Sequence, residues 1–168
     1  PELFELKFGG KSAREPLVFE DAEHGGPSVA IQGRLDRVDA SGDRLLLIDY
    51  KNSRNVRDYQ ANLEPEALGA TNFQVPIYLM AAARELPGRA TLGATYSLLR
   101  AAERARPLEL AAGDGYLATS DARRAAVRAE GGANFADQVV GLVREARSGH
   151  FPIAPRDCTH CDFGAVCR

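Results

Sequence analysis

The side chains best suited to chemistry fall in one stretch, Ile31–Lys51, which reads IQGRLDRVDASGDRLLLIDYK. Its second half is an unbroken apolar run, Leu45-Leu46-Leu47-Ile48, that ends in Asp49-Tyr50-Lys51. A strand apolar on both faces is buried, and charge at the end of such a strand is costly unless paired or bound to metal. Residues two apart on a strand share a face, so Asp49 and Lys51 point the same way. A further aspartate, Asp36, stands in the first half of the stretch. Two carboxylates that reach one spot can share a divalent cation. Arg37, Asp39 and Arg44 are under no such constraint and read as surface charges of a hairpin.

The element that must bring Asp36 to Asp49 is a β-hairpin. Val29, Ile31 and Leu35 lead in, Ala40-Ser41-Gly42-Asp43 turns, and the apolar run leads out. Two apolar runs around a short glycine-containing loop are the hairpin pattern. The second strand should lie centrally, covered on both sides. With the turn centred between Ser41 and Gly42, Asp36 faces Leu47 and Arg34 faces Asp49. Asp36 is then diagonal to Asp49 on one face, with Cβ atoms roughly 7 Å apart. A one-residue slip in pairing sends the two carboxylates to opposite faces.

Other elements surround this hairpin. Phe4, Leu6 and Phe8 alternate with Glu5 and Lys7 in a half-buried strand ended by Gly9-Gly10. Glu5 either adds a carboxylate to the site or faces solvent on an edge strand. Leu17-Val18-Phe19 is a short second strand, and His24-Gly25-Gly26-Pro27 a turn. The polar segment Asn52–Ala70 reads as a long loop. Its Arg54 and Arg57, near Lys51, either meet phosphates or form a solvated charged face. Asn72–Leu86 reads as a helix capped by Asn72 or Thr71, with Pro76 tolerated near the first turn. Phe73, Ile77, Met80 and Arg84 follow one stripe, widened by Leu79, Ala83 and Leu86. Gln74 and Tyr78, four apart, share a face, and Pro87-Gly88 stops the helix. Thr91–Arg100 is a strand, Ala101–Arg106 a charged loop and Pro107–Leu110 a short return strand, all completing the sheet without chemistry. Ser120–Arg128 is a helical turn or a flexible stretch. Phe135–Arg147 is an amphipathic helix with Phe135, Val139, Leu142, Val143 and Ala146 on its apolar stripe and Gly149 at its C-cap.

Taken in order, Gly33-Arg34-Leu35-Asp36-Arg37-Val38-Asp39, then Asp49-Tyr50-Lys51, then Gln74-Val75-Pro76-Ile77-Tyr78, resemble the PD-(D/E)XK nuclease superfamily. The closest group within it holds the nuclease domains of the bacterial RecB and AddB recombination proteins. Its pattern is an aspartate in a GRIDR-like strand, a D-Y-K strand end and a Q-x-x-x-Y helix. Each part alone is weak; the ordered set is specific and covers most of the chain. The resemblance implies an α/β fold, a central mixed β-sheet flanked by helices with a restriction-endonuclease-like core. It implies metal-dependent cleavage of DNA, in a helicase-nuclease of double-strand-break repair and recombination. Asp36 and Asp49, with the backbone carbonyl of Tyr50, would hold Mg²⁺ or Mn²⁺. Lys51 would position the attacking water and stabilise developing charge, an electrostatic role rather than that of general base. Gln74 and Tyr78 would orient the site beside Lys51 and touch the DNA strand. Two other readings share the fold: a non-cleaving DNA-binding or scaffold module of a helicase complex, and a restriction-type or CRISPR-associated nuclease.

Composition sets the frame. The 168 residues, 45% hydrophobic, suffice for one domain with a proper core. The formal net charge of −2 gives no global basic footprint, so any basic patch is local. No run approaches the roughly 20 apolar residues of a membrane span, and no signal-peptide pattern is present; a cytoplasmic location is the default expectation. The three cysteines cluster as C-x2-C-x5-C: Cys158, Cys161 and Cys167. An odd count in a tight cluster argues for metal or iron–sulfur ligation over a disulfide framework. Zinc bound with His160 as the fourth ligand, or simply three reduced cysteines on a surface tail, are the alternatives. In the resembled AddB-type nucleases, three cysteines at this spacing join one far upstream to hold a [4Fe-4S] cluster. That group also places a helix with a metal-binding His or Glu ahead of the first strand. Neither precedes Leu3 here, so the expectation is one nuclease domain over 1–168, the C-terminal portion of a larger protein, with 150–168 a cysteine-bearing tail.

Overall fold

The apolar run forms the middle of the main sheet. The computed structural model describes residues 1–21, 25–112, 115–117 and 134–150. Its strands are β1 (Leu3–Phe8), β2 (Leu17–Asp21), β3 (Gly26–Ile31), β4 (Gly33–Ser41), β5 (Arg44–Lys51), β6 (Thr91–Leu98), β7 (Glu103–Arg104) and β8 (Leu108–Ala111). Its helices are α1 (Val56–Ala61), α2 (Gln74–Glu85) and α3 (Phe135–Arg147). The main sheet runs β1-β4-β5-β6-β7, with β8 also pairing β6. Only the β5–β6 pair is parallel; β1–β4, β4–β5, β6–β7 and β6–β8 are antiparallel. This is the mixed sheet flanked by helices that the sequence implies.

Alternation explains the layers. Leu45 and Leu47 of β5 and Leu92, Ala94 and Leu98 of β6 point to one face and are almost wholly buried there. The α2 helix covers that face, packing across β4, β5 and β6 with Val75, Leu79 and Ala82. Burying each leucine-sized side chain contributes roughly 1.5–3 kcal/mol. Ile48 is fully buried on the opposite face, whereas Leu46 and Tyr50 beside it are half-buried, so β5 is central but unevenly covered. The β2–β3 pair forms a separate two-stranded sheet against which α3 packs. Phe135 ties the parts together: its ring meets Phe19 of β2, Phe73 before α2, and Tyr116.

Several local expectations need correction. The lead-in to the hairpin is two strands, not one: β3 ends at Ile31 and pairs with β2, and β4 begins at Gly33. The turn is the pair Gly42-Asp43, flanked by Ser41 opposite Arg44, with Gly42 at φ +57°. Glycine at the first central position suits a two-residue hairpin turn. Asn52–Ala70 is not a featureless loop. Asn55 accepts from the Arg57 N–H to start α1, and a 3-10 turn follows at Pro65–Ala67. Its polar sequence hides a few inward residues, Tyr59, Leu63 and Leu68. Phe4 is 60% exposed although it keeps the register of Leu6 and Phe8, standing opposite Arg37, and Glu5 beside it takes a φ of +47°. Ala101–Arg106 contains β7. Ser120–Arg128 and the cysteine tail lie outside the described residues.

Candidate active site

The hairpin register decides where the carboxylates meet. Moving the turn centre by one residue moves every partner by two, which keeps the faces. Val38 lies opposite Leu47 and Arg37 opposite Ile48, so one further step puts Asp36 across from Asp49 rather than diagonal to it. The paired ladder stops at Arg37–Ile48. Just beyond, Asp36 Oδ2 accepts a hydrogen bond from the Tyr50 backbone N–H at 2.9 Å. The strands part there, and the Asp36 side chain occupies the gap. It lies beside Asp49 and disfavours ionisation of the Asp49 carboxyl.

Asp49 is 5% exposed. Lys51, next on its face, brings Nζ to 2.5 Å from Asp49 Oδ2. That contact is a short ion pair, so Oδ2 has the Lys51 ammonium as its partner. Gln74, at the start of α2, bridges the pair: its Nε2 donates to Asp49 Oδ1 at 3.5 Å and its Oε1 accepts from Lys51 Nζ at 3.3 Å. Burial pushes the Asp49 carboxyl above its ordinary range; Lys51 pulls it back, and Asp36 raises it again. An ionised Asp49 is therefore held against desolvation and a neighbouring carboxylate, and one lysine does not fully offset this.

The α2 start is fixed by Asn72. Its Oδ1 accepts from the Val75 N–H at 3.2 Å, so it caps the helix as expected although the first helical residue is Gln74. Tyr78, one turn on, packs edge-on against Phe8 with ring centroids 6.4 Å apart, and lies against Gly33. A Cβ at Gly33 would fall 2.8 Å from Phe8 and 3.2 Å from Tyr78, so this close approach needs glycine. Gln74 thus joins Asp36, Asp49 and Lys51, whereas Tyr78 sits at the flank of the site on β1 and β4.

Other candidates separate. Glu5 is exposed and pairs with Arg34 at 3.3 Å, not with the aspartates. Arg54 and Arg57 are exposed. Arg37 and Asp39, read as surface charges, form a bidentate pair with two 2.7 Å contacts, which holds the Asp39 carboxyl below its usual range. Arg37 also reaches the Tyr50 hydroxyl and packs over Phe4. Arg44 pairs with Glu109. Sequence reasoning missed Tyr96, which stands level with Asp49 in the β5–β6 ladder and under Lys51 Nζ, 5.4 Å from the ring centre. The available signal was a tyrosine in an apolar strand, Leu92-Ala94-Tyr96-Leu98, whose hydroxyl must find a partner.

The residues present fit a hard divalent cation. A buried carboxylate held by a single lysine has a second carboxylate beside it, the arrangement a cation relieves. Among the described residues no group of three His, Cys, Asp or Glu side chains gathers. Two carboxylates are nevertheless enough for Mg²⁺, which keeps several waters and takes one or two protein carboxylates. No curated protein matches the chain. A family model, the PD-(D/E)XK nuclease superfamily, matches residues 1–168. With its ordered strand end, its paired aspartates and its lysine brought together on a mixed sheet, the chain belongs to the PD-(D/E)XK nuclease superfamily.

Proposed function

We propose that this nuclease domain is a Mg²⁺- or Mn²⁺-dependent deoxyribonuclease of RecB/AddB type, the cleaving part of a helicase-nuclease in DNA double-strand-break repair. One observation carries the chemical reading: Asp36, Lys51 and Gln74 meet around the buried Asp49 carboxylate. The ordered motifs support the RecB/AddB assignment, and superfamily members generally use divalent metals such as Mg²⁺.

Asp36, Asp49 and the carbonyl of Tyr50 would hold the cation. When bound, it would supply positive charge at the phosphoryl oxygens, an activated water and help for the departing 3′ oxygen. Asp36 keeps one oxygen on the Tyr50 N–H, which fixes its carboxylate plane for binding through the other. Lys51 partly offsets the charge of Asp49. With a cation held there, the Lys51 ammonium would be free to face the phosphoryl group and stabilise the charge that develops on it. Gln74 holds both Asp49 and Lys51, so it orients the pair. Tyr78, at the flank, would meet the strand beside the reacting phosphate.

A polyanionic substrate also suits the neighbouring surface. A groove of about 590 Å³ at the ends of β1 and β4 is lined by Lys7, Lys11 and Arg34 with Gly9, Gly10 and Gly33. Lys7 sits opposite Arg34 across the two strands. Like charges placed so are destabilising, and a phosphate backbone would offset that repulsion. Cys158, Cys161 and Cys167 would hold a structural [4Fe-4S] cluster in the full-length protein, with a fourth cysteine outside this chain. They lie outside the described residues, and no step of the cleavage passes through them.

The test is a gel assay on single- and double-stranded DNA with Mg²⁺ or Mn²⁺. Cleavage abolished by EDTA is expected. Binding without cleavage would overturn the enzyme reading in favour of a scaffold module.

A further inference from the structure

We infer that Tyr96 is a positioning residue: its ring, clamped by Asn72, seats the Lys51 ammonium where it meets Asp49 and Gln74. The seat is a matter of geometry; the catalytic consequence rests on the role proposed for Lys51.

Lysine is a flexible four-carbon chain ending in a point charge, and nothing in its own covalent structure aims it. Here three groups surround Nζ. Asp49 Oδ2 lies at 2.5 Å, Gln74 Oε1 at 3.3 Å, and the Tyr96 ring centre at 5.4 Å. That ring distance is within the roughly 6 Å over which an aromatic face attracts a cation. The carboxylate pulls Nζ toward Asp49, and the ring fixes the side from which it approaches.

The ring is itself held from three elements. It belongs to β6, level with Asp49, and is 3% exposed. Its hydroxyl accepts from Asn72 Nδ2 at 3.0 Å. The same Asn72 amide donates to the Asn62 carbonyl at 2.7 Å, and its oxygen accepts from the Val75 N–H in the first turn of α2. Asn72 therefore ties the seat of Lys51 to the helix start that carries Gln74. Tyr59 of α1 backs the ring at 5.2 Å and 61°. Burial pushes the Tyr96 hydroxyl up to about 12, so it stays neutral and does not compete with Asp49 for the ammonium. A leucine would fill most of the space and offer no aromatic face.

The chain has three lysines, Lys7, Lys11 and Lys51, which makes the seat directly observable. In protein carrying ¹³C-lysine, the ε-methylene of Lys51, assigned by its loss in Lys51→Arg, should be displaced upfield of the other two by the Tyr96 ring current. Tyr96→Leu should return it to the position of Lys7 and Lys11; Tyr96→Phe should keep it displaced. In the cleavage assay, Tyr96→Leu should lower kcat about 10-fold with KM changed by less than about twofold, and Tyr96→Phe should stay within about threefold of the unmutated chain. A Lys51 signal coincident with Lys7 and Lys11 in the unmutated chain overturns the seat, and that result requires no variant to fold. A folded Tyr96→Leu with unchanged kcat, or with a raised KM alone, overturns the positioning role. An unmutated chain that shows the displaced signal but never cleaves DNA leaves the seat standing and overturns the nuclease reading, and with it the catalytic consequence.

Discussion

Asp49 is where the protein sacrifices stability for a site. Its carboxyl is buried with Asp36 beside it, and Lys51 does not fully offset this, so folding favours its protonated form. Relative to the unfolded chain, the stability cost of Asp49 sets in as the pH rises past about 4, where the unfolded chain ionises, and is complete once the pH passes its raised folded value. Replacing it with a neutral isostere should help. In EDTA at neutral pH, Asp49→Asn should unfold about 2–6 °C higher than the unmutated chain, from roughly 1–2 kcal/mol in a chain of this size. The advantage should shrink as the pH falls through the Asp49 value, and calorimetry across that range checks the sign. Mg²⁺ or Mn²⁺ should raise the midpoint of the unmutated chain, because it binds the folded state, and should leave Asp49→Asn nearly unmoved. Equal response of both proteins to metal would place the cation elsewhere.

At the scale of elements, the hairpin and α2 do the positioning, and each was legible to a different degree. The run Leu45–Ile48 marked β5 as central because only a strand buried on both faces tolerates it. Asp36 and Asp49 were legible as a pair because side chains alternate, and an error of one residue in the turn centre kept the faces. The register itself was not legible, since it depended on Gly42 taking the left-handed conformation in a two-residue turn. The exposure of Phe4 was not legible because an alternating pattern shows which side chains share a face, not how far along β1 that face is covered. Tyr96 was missed for another reason. It belongs to β6, and the parallel pairing that sets it beside Asp49 joins segments more than forty residues apart. Asn72 is the clearest test at this scale, because it serves the helix start, the Tyr96 hydroxyl and the Asn62 carbonyl together. Asn72→Ala should cost about 1–3 kcal/mol in a denaturant titration, more than the loss of an exposed cap. A cost near zero would mean that α2 and β6 are held in place without it.

Across the whole molecule, charge is distributed rather than abundant. The formal net charge is −2, yet Lys7, Lys11 and Arg34 line one groove beside the strands that carry Asp36. Binding of an oligonucleotide, followed by fluorescence anisotropy in Ca²⁺, should weaken on Lys7→Glu with Lys11→Glu, and the dependence on salt should become shallower by about one or two phosphate contacts. An unchanged slope would take the strand away from this groove. No helix among the described residues is long and apolar enough to cross a membrane. The measurement that reaches the centre of the account is cleavage of labelled DNA in Mg²⁺ by the unmutated chain beside Asp36→Ala, Asp49→Ala and Lys51→Ala, each shown to be folded by circular dichroism. EDTA-sensitive cleavage by the first, and a loss of roughly 100-fold or more in each of the others, are expected. Cleavage at undiminished rate by any of the three variants would contradict the account.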